Sequence, residues 1–238
     1  MKVFIGWDSR ENMAYEVCRH SILSRGSVDC FPVVQSNLRN YGLYRRGIDA
    51  LAATEFSLTR FLVPTLAVSG YAVFCDCDFL FLTDIRKVLD EVNPDKAVSV
   101  VKHDYTPNEQ IKMDGCKQTI YPRKNWSSFM VFNCDHPSVK ALTAEVVNTA
   151  EPSYLHQFKW LKDDEIGSLS VKWNYLVGIY PKNYPDIHAL HYTLGGPWFE
   201  GYKNCDFSEE WKSEQKKFLH QTKSSITDMD IGSLVGLG

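Results

Sequence analysis

The apolar run at residues 74–82 (FCDCDFLFL) carries two aspartates, Asp76 and Asp78, in its middle. Burying an unpaired carboxylate in an apolar core is costly, so each of them needs a partner. Side chains two positions apart on a strand share a face, which would set the two carboxylates side by side. A divalent cation, Mn²⁺ or Mg²⁺, would offset their repulsion and leave positions for phosphate oxygens. The alternative is a loop just past the strand, in which both aspartates form turn hydrogen bonds.

Strand and helix patterns alternate from the first residue to about residue 180, which predicts an α/β domain with a mostly parallel sheet flanked by helices. We predict one domain over 1–221 and a weakly patterned, flexible tail over 222–238. The strand patterns lie at 2–7, 30–36, 71–82, 96–104 and 126–135, the helix patterns at 8–23, 54–67 and 136–150, and the predicted loops at 37–47 and 106–125.

The composition of the 238 residues narrows the functional class. A hydrophobic content of 44% is enough for one sizeable core, and a formal net charge of -3 argues against a nucleic-acid partner. Seven cysteines are too few, and odd in number, for a disulfide-stapled scaffold, which favours a reducing, cytoplasmic location, and without a Cys-x-x-Cys pair we expect no structural zinc site. We expect neither a signal peptide nor a membrane-spanning segment, although peripheral membrane contact stays open.

The segment FCDCDFLFL resembles the Asp-x-Asp strand of the GT-A glycosyltransferases, in which two aspartates hold a divalent ion against the diphosphate of a nucleotide sugar. Further segments follow in the order found in family 8 and glycogenin-like retaining transferases: VFIGWD, SLTRFLVP, WSSFMVFNCD, LKDDEIGSLSVKWNYLVG and LHYTLGGPW. The resemblance covers roughly residues 1–200 and implies a Rossmann-like GT-A fold. The chain departs from the family in two places. Asp164 replaces a central glutamine, and the closing segment is one residue shorter and lacks its usual lysine.

The resemblance implies a metal site made of Asp76, Asp78 and His191. Asp78 would bind the ion directly, while Asp76 would touch the ion or the ribose. Mixed carboxylate and imidazole ligands suit Mn²⁺ better than Mg²⁺. The alternative for His191 is a packing role beside Tyr192 and Trp198.

The same resemblance implies a donor site for a nucleotide sugar. We expect the donor to contact residues from five segments: Gly6, Trp7, Asp8, Arg60, Asp76, Cys77, Asp78, Ser127, Ser128, Gly195 and Gly196. Several of these residues have ordinary structural alternatives. Trp7 could be a core residue, Asp8 a helix cap, Arg60 a surface arginine that snorkels to water, and the glycine pair a tight turn before Pro197.

The acidic triplet 163–165 (DDE) is the expected source of a carboxylate near the donor sugar. We predict catalytic roles for Asp164, Asp163 and Arg60, and the resemblance favours Asp164 among the acids. A solvated helix N-terminus explains the triplet equally well, because acidic side chains stabilise that end of a helix.

These observations favour a metal-dependent glycosyltransferase that moves a sugar from a nucleotide-sugar donor to a glycan or glycolipid. The family it resembles favours a UDP-linked donor and retention of configuration. A sugar-1-phosphate nucleotidyltransferase is an alternative, although a Gly-rich basic loop after the first strand is missing. A non-catalytic module that binds a nucleotide or a glycan is the other. A thiol or metal-storage role for Cys75 and Cys77 is remote, since small buried cysteines pack as hydrophobes.

Overall fold

A computed structural model describes residues 1–47, 52–104 and 123–234, and gives only the backbone for 223–234. Most of the predicted loop 106–125 lies outside these residues. The described strands are β1 (Lys2–Gly6), β2 (Asp29–Val33), β3 (Tyr71–Cys75), β4 (Phe79–Phe81), β5 (Val98–Val101), β6 (Phe129–Asn133), β7 (Ile166–Leu169), β8 (Tyr175–Leu176) and β9 (Ala189–His191).

Helices connect and cover these strands. The α-helices are α1 (Asn12–Leu23), α2 (Gln35–Asn40), α3 (Val63–Ala67), α4 (Pro137–Lys140), α5 (Ala144–Thr149), α6 (Pro152–His156) and α7 (Ser208–Leu234). Short 3-10 turns occupy Ser9–Glu11, Thr59–Leu62, Ile85–Glu91, Trp126–Ser128, Asp163–Glu165, Val171–Trp173 and Glu200–Tyr202.

Six of the strands form the main sheet in the order β2-β1-β3-β6-β5-β7. β1 pairs in parallel with β2 and β3, and β5 pairs in parallel with β7. β6 runs antiparallel to both of its neighbours. Apolar side chains fill the central strands, and β1, for example, buries Val3, Phe4 and Ile5. Such continuous apolar runs belong to strands that are covered on both faces. The prediction of a mostly parallel α/β sheet flanked by helices is therefore confirmed.

The predicted single strand over 71–82 is wrong, because the chain leaves the main sheet after Cys75. β4 begins at Phe79 and pairs antiparallel with β9 in a second sheet of order β4-β9-β8. Asp76 and Asp78 are half-buried, whereas Cys77 between them is buried. A continuous strand would have carried both carboxylates into the covered interior of the main sheet, where charge is poorly tolerated. The Asp-x-Asp motif is thus the junction between two sheets.

Two further segments differ from their predicted structure. The predicted loop 37–47 begins within α2, which continues to Asn40. The predicted helix 136–150 is divided into α4 and α5, because the Thr143 side chain accepts a hydrogen bond from the Val146 amide and starts a new helix. Side-chain capping of this kind satisfies amides that have no partner within the helix.

The long helix α7 packs on α1 through a buried carboxylate. Glu214 is 2% exposed and receives an ion pair from Arg25 at 2.9 Å and a contact from His20 at 2.8 Å. The helix continues through the predicted boundary at residue 221 as far as Leu234, and flexibility of the tail beyond it stays a prediction. Among helices in the described ranges, none combines the length and the apolar content needed to cross a membrane.

Gly6 illustrates a packing constraint at the end of β1. A Cβ atom on this residue would lie 2.5 Å from the buried Phe56 ring. We expect Gly6→Ala to lower the free energy of unfolding by about 1–3 kcal/mol, the usual range for overpacking a core. Urea denaturation measures this change. Gly201→Ala is the matched control, because its Cβ would meet nothing within 4 Å. Equal stability of the two variants would contradict the packing role.

Candidate metal centre

The structure brings together the three residues that the sequence predicted as metal ligands. Asp76 and Asp78 lie at the junction between β3 and β4, and His191 ends β9. The β4–β9 register pairs Phe79 with His191, so the imidazole arrives beside Asp78. One candidate ligand atom from each of the three residues lies within 4.8 Å of the others. Two carboxylates and an imidazole at this spacing fit the donor set that Mn²⁺ accepts.

Arg60 holds the Asp76 side of the cluster. Its Nη1 lies 2.9 Å from Asp76 Oδ1 and donates to the Ser127 carbonyl at 2.8 Å. The guanidinium is buried and lies over the rings of Phe56 and Phe74, at 5.3 and 5.0 Å from their centroids. Arg60 is therefore a fixed positive charge at the site, and its surface alternative is excluded by its burial.

His191 is held on three sides. Its ring stacks on Phe79 with centroids 4.4 Å apart and an interplanar angle of 17°. Nδ1 lies 2.8 Å from Asn174 Oδ1, and Nε2 lies 3.3 Å from Asp78 Oδ1. Tyr192 and Trp198 instead pack on each other. The buried imidazole is thus oriented toward Asp78 rather than packed between those two aromatic residues.

Glu11 is an acidic residue of this site that sequence reasoning missed. It lines the same cavity as Asp76, Asp78 and His191. Burial, together with the nearby charges of Asp78 and Asp8, raises the pKa of Glu11 to about 8. In the sequence it is simply an acid in the first turn of a helix, and only the fold brings it to the motif. At neutral pH Glu11 therefore keeps its proton beside the two aspartates.

The closing segment contributes one glycine to the cavity and one to packing. Gly195 lines the cavity and has φ of 121°, a conformation that favours glycine. A Cβ on Gly196 would lie 1.9 Å from the Trp198 ring, so only glycine fits beside this ring.

Cys77 also borders the cavity but is 1% exposed. Burial raises the pKa of the Cys75 and Cys77 thiols well above the usual value, which fits small hydrophobes rather than reactive groups.

The residues that follow β1 form hydrogen bonds and an ion pair with nearby residues. The buried Asp8 carboxylate accepts hydrogen bonds from the amides of Arg10 at 2.9 Å and Glu55 at 3.1 Å, and it pairs with the Arg10 guanidinium at 2.8 Å. This is the capping role that the sequence left open as an alternative. Trp7 is half-buried and donates through Nε1 to Asn12 at 3.0 Å.

A second cavity adjoins this end of β1. It is lined by Arg10, Gln35, Tyr44 and Glu55 among others, and Thr54 borders both cavities. The two cavities therefore lie on either side of Thr54.

Ser127 and Ser128 lie beside the cluster with their hydroxyl groups engaged. Ser127 Oγ is 3.0 Å from His156 Nδ1, and Ser128 Oγ donates to the Asn125 carbonyl at 2.7 Å. Burial, followed by the charge of Arg60, lowers the pKa of His156 to about 3, so this imidazole is neutral. Neither serine lines the cavity that contains the aspartates.

Asp163 and Asp164 are not brought to the cluster. They precede β7, whose first residue pairs with Val98 at the start of β5. β5 and β7 both run in the direction of β3. The start of β7 therefore lies at the amino ends of these strands, whereas Asp76 follows the carboxyl end of β3. Asp164 is exposed, and the Asp163 carboxylate is 86% exposed and pairs with Arg123 at 2.6 Å. The expectation that one of them faces the donor sugar gains no support from this placement.

A relative of known sequence matches almost the whole chain. Protein CDI of Arabidopsis thaliana is 47% identical over 231 residues, which cover 93% of this chain and 88% of that protein. No family model matches the chain.

Solved structures with the same architecture are glycosyltransferases. The apo structure of the bifunctional glycosyltransferase WbbM superposes with a TM-score of 0.62 at 14% identity and covers 90% of this chain. GlyE of Streptococcus pneumoniae TIGR4 gives 0.60 at 12% and 94% coverage. The galactosyltransferase LgtC, solved with donor and acceptor sugar analogs, gives 0.56 at 11% and 91% coverage. The chain spans 49% of WbbM, 63% of GlyE and 96% of LgtC. These likenesses show that the chain has the GT-A fold.

The raised pKa of Glu11 predicts how the stability of the metal-free protein depends on pH. Between about pH 4.5 and 8 the folded protein keeps a proton on Glu11 that the unfolded chain releases, so stability should fall as pH rises through this range. We expect Glu11→Gln to raise the free energy of unfolding at pH 8.5 by at least about 1 kcal/mol and to change it little near pH 5, because a change of one in a pKa corresponds to about 1.4 kcal/mol.

Urea denaturation in chelator at the two pH values measures this difference. Glu151→Gln is the control, because Glu151 is exposed and its side chain makes no capping hydrogen bond. A Glu11→Gln effect of the same size at both pH values would show that the carboxyl group is not titrating in this range.

Proposed function

The chain belongs to the family that includes Protein CDI of Arabidopsis thaliana, and we propose that it is a metal-dependent glycosyltransferase that uses a nucleotide-sugar donor. The observation that carries the proposal is the cluster of Asp76, Asp78 and His191 at the junction between the two sheets of a GT-A fold. The proposal requires the donor diphosphate to lie over this cluster, in the cavity that its three members line.

Mn²⁺, or Mg²⁺ as the second choice, would be held by the carboxylates of Asp76 and Asp78 and by Nε2 of His191. When bound, the ion supplies Lewis-acid stabilisation for the charge that develops on the departing diphosphate. Two carboxylates, with one guanidinium paired to Asp76, leave a negative charge in the cluster that supports a cationic occupant.

The chain's own residues would then orient the donor. Arg60 keeps Asp76 in place through its 2.9 Å ion pair, and its guanidinium adds a fixed positive charge on the leaving-group side. The unhindered backbone of Gly195 would let phosphate oxygens approach the closing segment. The half-buried Asp76 and Asp78 line the cavity, while the flanking strands β3 and β4 are covered.

The donor base would occupy the second cavity, beside Arg10. Trp7 is not among the residues that line either cavity. Thr54 borders both cavities, so the proposal requires the nucleotide to pass beside this residue. Asp8 would act here indirectly, because it fixes Arg10 at 2.8 Å and the Glu55 backbone at 3.1 Å. A UDP-linked sugar is the proposed donor, on the resemblance to family 8 transferases.

The acceptor side of the proposal is less specific. We propose a glycan or glycolipid acceptor and retention of configuration, in line with family 8. Ser127 and Ser128 would support the motif from behind and not touch the sugar, because neither lines the cavity. Asp163 and Asp164 are left out of the proposed chemistry, because they lie outside the cavity.

A thermal-shift panel of nucleoside diphosphates and nucleotide sugars, each with Mn²⁺ or with chelator, tests the donor site. A ligand that binds only the folded state raises the melting temperature by mass action. We expect one nucleotide to do so, and only with Mn²⁺. Asp78→Asn should reduce its affinity in Mn²⁺ by at least about tenfold, since a ligand to the ion is lost. Asp90→Asn is the control, because Asp90 is an exposed aspartate away from the cavity.

Turnover separates the enzyme from a binding module. Incubation of the bound nucleotide sugar with a panel of glycans should release the nucleoside diphosphate in wild type and not in Asp78→Asn. Metal-dependent binding without release would favour the non-catalytic module. The absence of any metal-dependent binding in wild type would contradict the donor site itself.

A further inference from the structure

We propose that Asn174 is a positioning residue, whose carboxamide fixes the tautomer of His191 so that the Nε2 lone pair faces the cation. This inference deepens the proposed function and rests on its metal site. Asn174 lies between the turn Val171–Trp173 and β8 and is 0% exposed. β8 pairs in parallel with β9 with Leu176 opposite His191, and the Asn174 side chain, just before β8, reaches the His191 ring.

The surroundings of Asn174 determine which way its amide points. One end lies 2.9 Å from Ser128 Oγ and 3.3 Å from the Asn125 carbonyl oxygen. A carbonyl can only accept, and the Ser128 hydroxyl already donates its proton to the same Asn125 carbonyl at 2.7 Å. The end that faces these two acceptors must therefore be the NH₂ group, and Oδ1 must face His191.

The orientation of the amide then sets the protonation of the imidazole. Asn174 Oδ1 lies 2.8 Å from His191 Nδ1, so Nδ1 carries the hydrogen and donates it. In the neutral ring Nε2 is left with its lone pair, 3.3 Å from Asp78 Oδ1. A lone pair and a carboxylate oxygen repel each other at this distance, and a cation between them turns the repulsion into ligation. The hydrogen bond from the far nitrogen is how proteins commonly orient a histidine that binds metal.

The same contacts connect His191 to the other half of the site. Ser128 receives the Asn174 amide on its hydroxyl, and its carbonyl accepts from the Asp76 amide at 3.0 Å. Asp76 is attached to the main sheet through this backbone hydrogen bond, whereas His191 belongs to the second sheet. Asn174 therefore links the positions of two proposed ligands that come from different sheets.

The tautomer of His191 can be measured without metal or substrate. Long-range ¹H–¹⁵N spectra of histidine-labelled protein in chelator, recorded on the alkaline side of the titration, distinguish Nδ1–H from Nε2–H. The His191→Gln variant assigns the signal. We expect Nδ1–H in wild type and in Asn174→Asp, which keeps an acceptor at this position. Asn174→Ala and the isosteric Asn174→Leu should lose the exclusive Nδ1–H form.

Binding of Mn²⁺ alone, followed by the loss of the free-ion EPR signal, gives the second readout. We expect Asn174→Ala and Asn174→Leu to weaken Mn²⁺ binding by roughly ten- to a hundredfold, the usual cost of losing such a partner. The Mn²⁺ affinity of Asn174→Asp should stay within a few-fold of the wild-type affinity, even though the melting temperature of this variant falls. This rescue separates the proposed role from a packing role, because Asn174→Leu preserves shape and Asn174→Asp preserves only the acceptor.

If neither apolar variant folds, Ser128→Ala replaces them. It removes one of the two acceptors that orient the amide, and it should weaken Mn²⁺ binding less than the loss of Asn174 would. An unchanged His191 tautomer in Asn174→Ala and Asn174→Leu, or equal Mn²⁺ affinity in Asn174→Leu and wild type, would overturn the inference. Failure of wild type to bind Mn²⁺ despite the Nδ1–H tautomer would count against the proposed metal site.

Discussion

Two carboxylates within an apolar run must reach a counter-charge or water, and the course of the chain around Asp76 and Asp78 follows from this requirement. β3 is buried up to Cys75, and β4 is buried again from Phe79 onward. Between them the alternation of the strand persists, since Cys77 is buried while its two acidic neighbours are half-buried. Because the chain passes from one sheet to the other at this point, the apolar neighbours stay buried while the two carboxylates reach the cavity.

The junction carries two aspartate carboxylates and one guanidinium, and the uncompensated negative charge favours a cation. Arg60 lies against Asp76 at 2.9 Å, in a buried position that its ring contacts with Phe56 and Phe74 define. One guanidinium offsets only one of the two aspartate carboxylates. Burial, followed by the charges of Asp78 and Asp8, raises the pKa of Glu11, so this carboxyl group keeps its proton at neutral pH. A cation would offset the carboxylate that Arg60 leaves without a counter-charge.

The sequence predicted those features that depend on local pattern. The alternation of strands and helices gave the sheet, and the charged interruption of an apolar run gave Asp76 and Asp78. Glu11 and Asn174 could not be found in this way, since their importance comes from contacts with residues far away in the chain. Asp163 and Asp164 stay a prediction that the fold does not support. Their order along the chain suits the family pattern, yet the start of β7 lies at the other edge of the sheet. The direction of each strand, and hence the edge on which its ends lie, is a property of the whole topology.

The glycines and Asp8 show why residue type alone cannot separate packing from ligand contact. Gly6 and Gly196 each lie against an aromatic ring that leaves no room for a Cβ atom. Gly195 instead borders the cavity with a left-handed backbone. Asp8 accepts two backbone amides, so it orders the loop that borders the second cavity. His191, by contrast, reaches Asp78 only because β9 pairs with β4. An ion held by ligands from both sheets would stabilise their junction by mass action, so occupancy of the site and docking of the second sheet are thermodynamically linked.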